Sequence, residues 1–408
     1  MPQPVPAKTP SRKTPAADAL LAAACAIIAA EGLQGLTLRP LAERLGVSVT
    51  VLTNHYGNRG DLVAAICRAG SAQEATGAKG WRTLLAPIGS LPGQLAASVA
   101  EAFLDEQATR QRDNATLYFE LLHAGTWDQT IRPALADWTA QCRAFWDDFG
   151  RRAAIPAPLI ETGWWHGYML AEGFYGLALD GDPSYRLLRR LGLQRVFAGG
   201  AARAADAADG ILFDRLGERM RHAEVPATDR GTAPAWVADA ARACGIRLAM
   251  QGVGAVTHRA VAADAGVAHT TLSYRFPTQH DLVVAGLESI TAHVLSAVEA
   301  ESLDDVERRR TAGDGARLDL ARANLAVALA ARRMPPLVPR LAHMRSRRGA
   351  NLAKVLQKYL PGASGVDALC AQVMSLGLTG LTIAGPPGER TDAAVAAAFA
   401  AAARWVGR

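Results

Sequence analysis

The amino-acid sequence predicts an all-α protein that consists of two tandem helical units. Alanine-rich runs at Ala16–Ala30, Ala235–Met250 and Asp392–Val406 have strong helix propensity. Strand signals, in which β-branched residues alternate between turn dipeptides, are nearly absent from the sequence. A segment of the first half also recurs in the second half, and 408 residues are enough for two or more domains.

The repeat is the clearest internal feature of the chain. Residues Glu31–Ile66 align with Gln251–Gly286 without a gap, and 12 of the 36 positions are identical. A second similarity pairs Gly173–Pro183 (GFYGLALDGDP) with Gly377–Pro387 (GLTGLTIAGPP). The offset is 220 residues for the first pair and 204 for the second, so the second unit is 16 residues shorter between them. The chain therefore contains two whole units and not one unit with a stray motif.

The helices of the repeated segment are assigned from their caps. Thr37 caps a helix that ends at Gly46, because glycine readily adopts a positive φ. Ser48 caps a second short helix that extends to about Tyr56, and Asn58 caps a third. Two short helices joined at a glycine turn form a helix-turn-helix, whose second helix enters the major groove of DNA. The same pattern is also compatible with a small helical bundle that binds no DNA.

The repeats and the composition between them define the predicted domains. Residues His222–Pro234 are polar and contain proline and glycine, as expected for a linker. The start of the chain is proline-rich and basic, and it lacks the apolar core of a secretory signal. The predicted segments are a disordered basic tail (1–16), a helix-turn-helix domain called head 1 (17–66), a helical core called core 1 (67–221), the linker (222–234), a second helix-turn-helix domain called head 2 (235–286) and a helical core called core 2 (287–408).

Composition limits the function classes. A formal net charge of +6 is compatible with nucleic-acid binding without requiring it. The longest uncharged apolar stretches fall short of the roughly 20 residues of a membrane span, so no membrane partner is expected. The five cysteines lie far apart without a CxxC pair, which predicts no metal site and favours a reducing cytoplasm. No cofactor motif is present, and none is expected.

Both copies of the repeated segment resemble the DNA-binding domain of the tetracycline-repressor (TetR-type) regulators. In Leu20–Val63 the resemblance is carried by Gly32, Thr37, Ala42, Gly46-Val47-Ser48, Leu52, His55-Tyr56 and Asn58-Arg59. In Gln251–Val283 it is carried by Gly266-Val267-Ala268, Leu272 and Phe276-Pro277. Over the rest of the chain the resemblance is only general. It implies a transcriptional regulator, expected to be a repressor, that binds double-stranded operator DNA and is released by a small ligand.

The resemblance also implies which residues contact DNA. Short hydroxyl and amide side chains suit base and phosphate contacts, while arginine supplies the charge that sets the register. The positions in head 1 are Thr37, Arg39, Ser48, Thr50, Thr53, Asn54, His55, Tyr56 and Arg59, and those in head 2 are Thr257, Arg259, His269, Thr270, Thr271, Ser273, Tyr274 and Arg275. The heads differ at Val49, which corresponds to His269, and at Arg59, which corresponds to Gln279. We therefore expect the two heads to prefer different bases, and head 2 to hold phosphate more weakly.

Family members pair as homodimers, so duplication within one chain predicts an intramolecular pseudo-dimer. Leu91–Asp182 has 13 acidic and 6 basic residues, whereas Leu320–Val366 has 9 basic residues and no acidic one. Opposite charges favour pairing of core 1 with core 2. The basic run is also compatible with a solvated helix face or an additional DNA contact. We expect one chain, or a dimer of chains, to bind an asymmetric operator; Lys8, Arg12 and Lys13 in the tail either contact DNA or only solubilise the end.

Aromatic residues predict where an effector binds. Seventeen lie between Arg68 and Arg230, and only six lie from Gly231 onwards. Apolar walls with a few polar groups are typical of small-molecule cavities, although an aromatic stripe is also compatible with an ordinary core. The predicted ligand is flat and aromatic or polyketide-like. Its predicted contacts are Tyr118, Phe119, His123, Trp127, Trp138, Arg143, Phe145, Trp146, Trp165, His166, Tyr168, Met169, Glu172 and Tyr175.

Two other functions were weighed. One is an adaptor or antirepressor that keeps the fold and the ligand site without binding DNA. The other is an enzyme that uses His166 and Glu172, but residues six apart lie on different faces of a helix. The sequence has no nucleophile elbow, phosphate-binding loop or dinucleotide fingerprint. We therefore expect no catalytic residues.

Overall fold

The computed structural model describes residues 15–199, 207–221, 234–298, 319–353, 367–386 and 389–406, and all their regular elements are helices. The all-α prediction is confirmed. Within the described residues, no helix is long and apolar enough to span a membrane. The helices of the first unit are α1 (Ala17–Glu31), α2 (Leu38–Leu45), α3 (Val49–Tyr56), α4 (Arg59–Leu85), α5 (Gly93–Ala108), α6 (Arg112–Ala124), α7 (Arg132–Arg152), α8 (Ala157–Glu161), α9 (Trp164–Leu179), α10 (Pro183–Phe197) and α11 (Ala207–Arg221).

The second unit repeats this order in the residues that the structure describes, which include eight of its helices. Short 3₁₀ turns at Leu33–Gly35 and Val253–Ala255 follow the first helix of each head, and a third lies at Pro335–Leu337. The helices are α12 (Ala235–Gln251), α13 (His258–Asp264), α14 (His269–Arg275), α15 (Gln279–Val298), α16 (Leu320–Arg333), α17 (Val338–Ser346), α18 (Ala368–Ala384) and α19 (Glu389–Val406).

The two heads share one backbone conformation, as the repeat predicts. Gly32 and Gly252 have φ values of 74° and 76° where the first helix of each head ends. Gly46 and Gly266 have φ values of 65° and 64° in the turn before the second helix-turn-helix helix. L-residues with a side chain rarely adopt this region, so glycine at these four positions fixes the same chain path twice.

The helix starts follow the predicted caps, with one difference between the copies. Ser48 Oγ accepts the amide of Val51 at 3.3 Å, and Asn58 and Asp61 form a reciprocal capping box at the start of α4. Thr37 occupies the cap of α2 without a side-chain hydrogen bond, whereas Thr257 Oγ1 accepts the amide of Ala260 at 3.2 Å. The side-chain cap predicted at Thr37 is therefore not formed there, whereas the corresponding Thr257 of head 2 forms it.

A continuous helix joins each head to its core. The predicted domain limits at residues 66 and 286 fall inside α4 and α15. With 27 residues, α4 is roughly 40 Å long at 1.5 Å per residue. A displacement of the core end of α4 is therefore transmitted to head 1 without a hinge loop. The linker between the units lies almost entirely outside the described residues, as does most of the tail with Lys8, Arg12 and Lys13.

The two cores contact each other where α9 crosses α18. A Cβ built at Gly380 would lie 1.8 Å from the carbonyl oxygen of Gly167, and one built at Gly167 would lie 2.3 Å from the carbonyl oxygen of Gly377. The backbones therefore meet directly, which only glycine permits. Trp164 closes the crossing by donating its Nε1–H to the carbonyl of Met374 at 3.3 Å.

Ion pairs also join the two cores. Arg345 pairs with Glu172 at 2.7 Å while both side chains are at most 1% exposed, Arg332 pairs with Asp113 at 3.0 Å, and Arg333 pairs with Glu120. All three arginines come from the basic run, and all three carboxylates come from the acidic core 1. This agrees with the expected attraction between unlike cores, and it shows that these arginines do not form a solvated face. Lys354 and Lys358 of the same run lie outside the described residues.

Candidate functional site

The second helix of the helix-turn-helix in head 1 presents polar side chains to solvent. Leu52 is fully buried, and α3 packs against α2 and α4. On the opposite side of α3, Thr50, Asn54 and His55 are exposed. An anchored helix with exposed hydroxyl, amide and imidazole groups can place hydrogen-bonding groups against base edges.

The remaining predicted contacts of head 1 divide into solvent-facing residues and residues with structural contacts. Thr37 and Arg39 are exposed at the start of α2, where Arg39 also pairs with Glu43 at 3.1 Å. The Thr53 hydroxyl donates to backbone carbonyls of its own helix at 3.2 Å, and Ser48 is the cap of α3. Thr53 and Ser48 therefore stabilise α3 as well as lying near its outer face.

Two residues at the end of α3 are placed to hold the DNA backbone. Tyr56 is partly buried and donates its hydroxyl to the carbonyl of Pro15 at 3.3 Å, and burial raises the pKa of this phenol. Arg59 opens α4 with its side chain half exposed, 3.7 Å from the Asp128 carboxylate. This contact between Arg59 and core 1 places a phosphate-binding cation next to a carboxylate that can compete for it.

Head 2 offers a different set of groups on the same backbone. His269, Thr270, Thr271 and Arg275 are exposed on α14, and Tyr274 is 91% exposed. The other predicted residues of head 2 are exposed Thr257 and Arg259 and partly buried Ser273. An exposed tyrosine and arginine on α14 replace the asparagine and histidine of α3, so the two heads present different groups to a groove.

Gln279 of head 2 corresponds to Arg59 of head 1, and the two side chains differ in charge and in contacts. Its amide donates to the backbone carbonyl of Val256 at 3.0 Å, inside the head itself. The side chain that corresponds to the cation of head 1 is therefore neutral and turned toward protein. This placement is consistent with the expectation of a weaker phosphate contact in head 2.

Core 1 encloses a cavity of about 260 Å³ between α4, α5, α6, α7 and α9, called here the core-1 cavity. Six of the predicted ligand contacts line it: Tyr118, Phe119, Phe145, Trp146, His166 and Met169. Its other lining residues are Glu74, Ala75, Ala78, Arg82, Phe103, Gln107, Gln141, Cys142 and Leu170. The aromatic cluster of core 1 therefore lines a cavity in addition to packing in the hydrophobic core.

The walls of the core-1 cavity are packed aromatic rings. Phe103 stacks on Phe145 at 5.1 Å between ring centroids and meets Trp146 edge-on at 4.8 Å. The exposed Arg82 guanidinium lies over the Phe145 ring at 5.4 Å. Such rings bury large apolar area and offer flat faces to a planar ligand or to a cation.

Two titratable groups face this apolar space. Burial and the nearby charge of Glu106 raise the pKa of Glu74 to about 7, against an opposing hydrogen bond with Asn114. Burial, assisted by the positive charge of Arg143, lowers the pKa of His166 to about 4. At neutral pH, Glu74 is therefore poised between its two protonation states, and His166 is neutral.

The other predicted ligand contacts are engaged elsewhere. Trp165 donates its Nε1–H to the carbonyl of Trp146 at 2.8 Å, and Trp138 is buried against Tyr118. Tyr168 and Glu172 belong to the buried network around Arg345, and Tyr175 donates to Asn324 Oδ1 at 2.9 Å across the units. Arg143 binds the Asp147 carboxylate and the carbonyl of Glu161. These residues do not line the core-1 cavity, and their role as ligand contacts stays a prediction.

His123 and Trp127 line a second cavity, of about 220 Å³, which we call the inter-head cavity. Its walls come from both heads and both cores, including the 3₁₀ turns after Gly32 and Gly252. His123 Nε2 lies 3.2 Å from the carbonyl oxygen of Ala249 in head 2. Burial lowers the pKa of His123 to about 4, so this contact is made by a neutral imidazole.

Two contacts between the units hold the heads at this cavity, and they involve side chains of different chemistry. A Cβ built at Gly252 of head 2 would lie 2.6 Å from the Trp127 ring of core 1. A Cβ built at Gly32 of head 1 would lie 3.2 Å from the Arg333 guanidinium of core 2. Each head is therefore braced by the core of the other unit, one through an indole and the other through a guanidinium.

Sequence reasoning missed several residues of the core-1 cavity. Phe103 lies on a helix from which no aromatic residue was selected, and Glu74, Gln107 and Gln141 were indistinguishable from solvated helix positions. Cys142 lies between Trp138 and Phe145 on α7, but no ligand contact is predicted for it from the sequence. A signal for Glu74 did exist, since it lies on α4, the helix that continues from the head into the core.

The described residues contain no group of three or more metal-ligating side chains. Residues 20–66 match the family of bacterial regulatory proteins called the tetR family. The match covers α1 to α3 and the first part of α4, which is head 1 with its recognition helix. No curated protein matches the chain.

Proposed function

We propose that the chain is a transcriptional regulator that binds an asymmetric operator with both heads, because residues 20–66 match the tetR family of bacterial regulatory proteins. The observation that carries the proposal is the exposed polar face of α3, which Leu52 anchors from behind. Head 2 contributes through α14, which has the same backbone frame and different groups. A chain with two such heads needs no second copy to contact two half-sites.

The unlike contacts between the units support an intramolecular pseudo-dimer. Extending the second repeat by one residue pairs Glu172 with Leu376, which is apolar and buried. The buried Glu172–Arg345 pair is therefore not duplicated around a pseudo-two-fold axis. Two identical first units would lack this partner for Glu172, and leaving one charge of a buried pair unpaired costs about 3–5 kcal/mol. Association within the chain is therefore favoured over pairing of identical units.

Release by a ligand is proposed to act through α4. Glu74, Ala75, Ala78 and Arg82 of α4 line the core-1 cavity, and Arg59 begins α4 at its other end with a half-exposed side chain. Glu74 lies roughly 22 Å along the helix from Arg59. A ligand that separates α4 from α7 moves head 1 relative to head 2, because Trp127 of core 1 holds head 2 in place. If it favours that geometry, ligand and DNA weaken each other's binding by the same factor.

The first prediction tests DNA binding by each head with the full chain. Thr50→Ala with Asn54→Ala, and separately Thr270→Ala with Thr271→Ala, should each weaken binding to a selected genomic fragment by at least about tenfold, since a specific base contact contributes about 1–3 kcal/mol. Gel shifts at several salt concentrations give the affinity and the phosphate contribution. Gln94→Ala with Ser98→Ala, on the exposed side of α5, serves as the control and should bind like the wild type.

The outcomes separate the proposal from its rival. One chain per DNA molecule in the complex, with both head variants impaired, supports two heads acting in one chain. An impaired head 1 variant beside an unchanged head 2 variant would remove head 2 from the interface. A chain that shows no salt-dependent binding to any fragment would instead be an adaptor with the same fold.

A further inference from the structure

Glu74 is a carboxyl group in the core-1 cavity without a cationic partner. Within the described residues, no lysine, arginine or histidine lies within ion-pair distance of it. Its polar neighbour is the Asn114 side chain, which also donates to the carbonyl of Gly70 at 3.1 Å. Glu74 is partly exposed, and its carboxylate lies beside aromatic walls without a counter-ion until a cation is supplied.

The charged group that acts on Glu74 is a second carboxylate, Glu106. Glu106 of α5 accepts the Trp81 Nε1–H at 2.8 Å and pairs with Arg110, whose side chain is 80% exposed. Burial, followed by the nearby Cys142 and Glu74, raises the pKa of Tyr118, and burial and Glu74 raise the pKa of Cys142, so neither carries charge at neutral pH. Arg82 lies at the solvent-exposed rim, where water screens its charge.

His166 is the second polar group that faces the cavity. It is 3% exposed, lines the cavity, and has no hydrogen-bond partner among the described residues. A neutral imidazole presents one donor and one acceptor, and a buried polar side chain without a partner is uncommon. A ligand in the cavity can satisfy His166 with a single hydroxyl, carbonyl or amine.

We propose that the core-1 cavity binds an aromatic organic cation, with the Glu74 carboxylate as counter-ion and His166 as a hydrogen-bond partner. The faces of Phe103, Phe145 and Trp146 surround the ligand and attract its positive charge through their π-systems. A volume of about 260 Å³ accommodates a two-ring aromatic amine. This inference rests on the proposed function in assigning the cavity to a ligand, and it adds the charge that the ligand carries.

The test compares three probes that share an indole ring and differ in charge: tryptamine, indole-3-propionamide and indole-3-propionate. Calorimetry with the full chain and without DNA should give the tightest binding for tryptamine, by about tenfold or more over the neutral amide. Because only ionised Glu74 pairs with the amine, tryptamine affinity should rise about tenfold between pH 6 and pH 8. The binding of the amide should not rise in this range.

Variants assign the charge to its residue. Glu74→Gln should remove both the preference for tryptamine and the rise with pH, while Glu161→Gln at an exposed site on α8 should retain them. His166→Phe should weaken all polar probes without changing their order. If Glu74→Gln does not fold, the probe order and the pH profile of the wild type still decide the proposal.

Each outcome bears on the charge of the ligand separately from DNA binding. Tightest binding of the propionate would show that Arg82 dominates, and equal or absent binding of all three would also overturn the proposal. Tryptamine binding that leaves a DNA complex intact would sustain the cation site and overturn the release mechanism. Preferential binding of the amide together with DNA release would sustain the proposed function and overturn this inference.

Discussion

Single glycines set how closely the two cores approach. Gly377 and Gly380 belong to the second repeat and meet the backbone of α9 at Gly167, and Gly377 also lies against the indole of Trp164. Their counterparts Gly173 and Gly176 in the first unit face side chains of their own core. The same glycine spacing therefore serves the contact between units in one copy and packing within core 1 in the other.

The second prediction concerns this crossing. Gly380→Ala should lower the free energy of unfolding by about 1–3 kcal/mol, because the new methyl group meets backbone that cannot rotate away. Urea unfolding measures it. Gly80→Ala on the exposed side of α4, where a Cβ meets no atom within 4 Å, should instead raise stability by about 0.5–1 kcal/mol through helix propensity. Equal stability of Gly380→Ala and the wild type would refute the direct backbone contact.

The third prediction follows from two buried histidines. Burial lowers the pKa values of His123 and His166 to about 4 from an ordinary value of 6.5. Between these pH values the two histidines bind more protons in the unfolded chain than in the folded chain, so they lower the free energy of unfolding as pH decreases from 6.5 to 4. Glu74, with its pKa raised to about 7, opposes part of this change, and the two histidines together outweigh it. Each histidine contributes up to about 1.4 kcal/mol per pH unit within that window.

Chemical denaturation at several pH values checks this dependence. His123→Gln and His166→Gln should each flatten the profile between pH 4 and 6.5, and the double variant should flatten it further. His55→Gln on the exposed face of α3 is the matched control and should keep the wild-type slope. A wild-type slope in the double variant would show that the buried imidazoles do not determine the acid sensitivity.

At the scale of helices, the heads are predictable from sequence, whereas the contacts of Trp127 and Arg333 that hold the heads are not. Caps and positive-φ glycines are local, so Gly46, Ser48 and Asn58 specify α2, α3 and α4 from neighbouring residues alone. Trp127 and Arg333 reach heads that lie more than 100 residues away along the chain. Their partners depend on how the units pack, which no local pattern encodes.

The fourth prediction tests the brace at Trp127. Removing the indole in Trp127→Ala loosens head 2 relative to core 1, so the chain should tolerate changed half-site spacing better than the wild type does. Gel shifts with an operator lengthened or shortened by two base pairs between the half-sites measure this tolerance. We expect the affinity penalty for altered spacing to fall to about half its wild-type free energy, since one of two braces remains.

The control for the brace keeps an aromatic ring in place. Trp127→Phe should retain most of the wild-type spacing preference, because the ring still covers Gly252. An unchanged spacing penalty in Trp127→Ala, with unchanged folding, would mean that the indole does not set the distance between the heads.

At the scale of the whole molecule, the two units contribute different groups to the interface between them. Core 1 supplies carboxylates and the aromatic core-1 cavity, and core 2 supplies the arginines that pair with those carboxylates. A symmetric dimer must use one surface for both partners, whereas a duplicated chain can give complementary charges to its two halves. This asymmetry favours a single arrangement of the units.

The sequence by itself determined the helical class, the duplication, and the chain path of both heads, because propensity, capping and positive-φ glycines act over a few residues. It also identified six residues of the core-1 cavity, since aromatic side chains at helical spacing share one face. Only the tertiary structure separated those six from Trp165, Tyr168, Glu172 and Tyr175, and added Glu74. Whether a buried side chain faces a cavity, its own core or the other unit depends on which helices meet there, and that is a property of packing between distant segments.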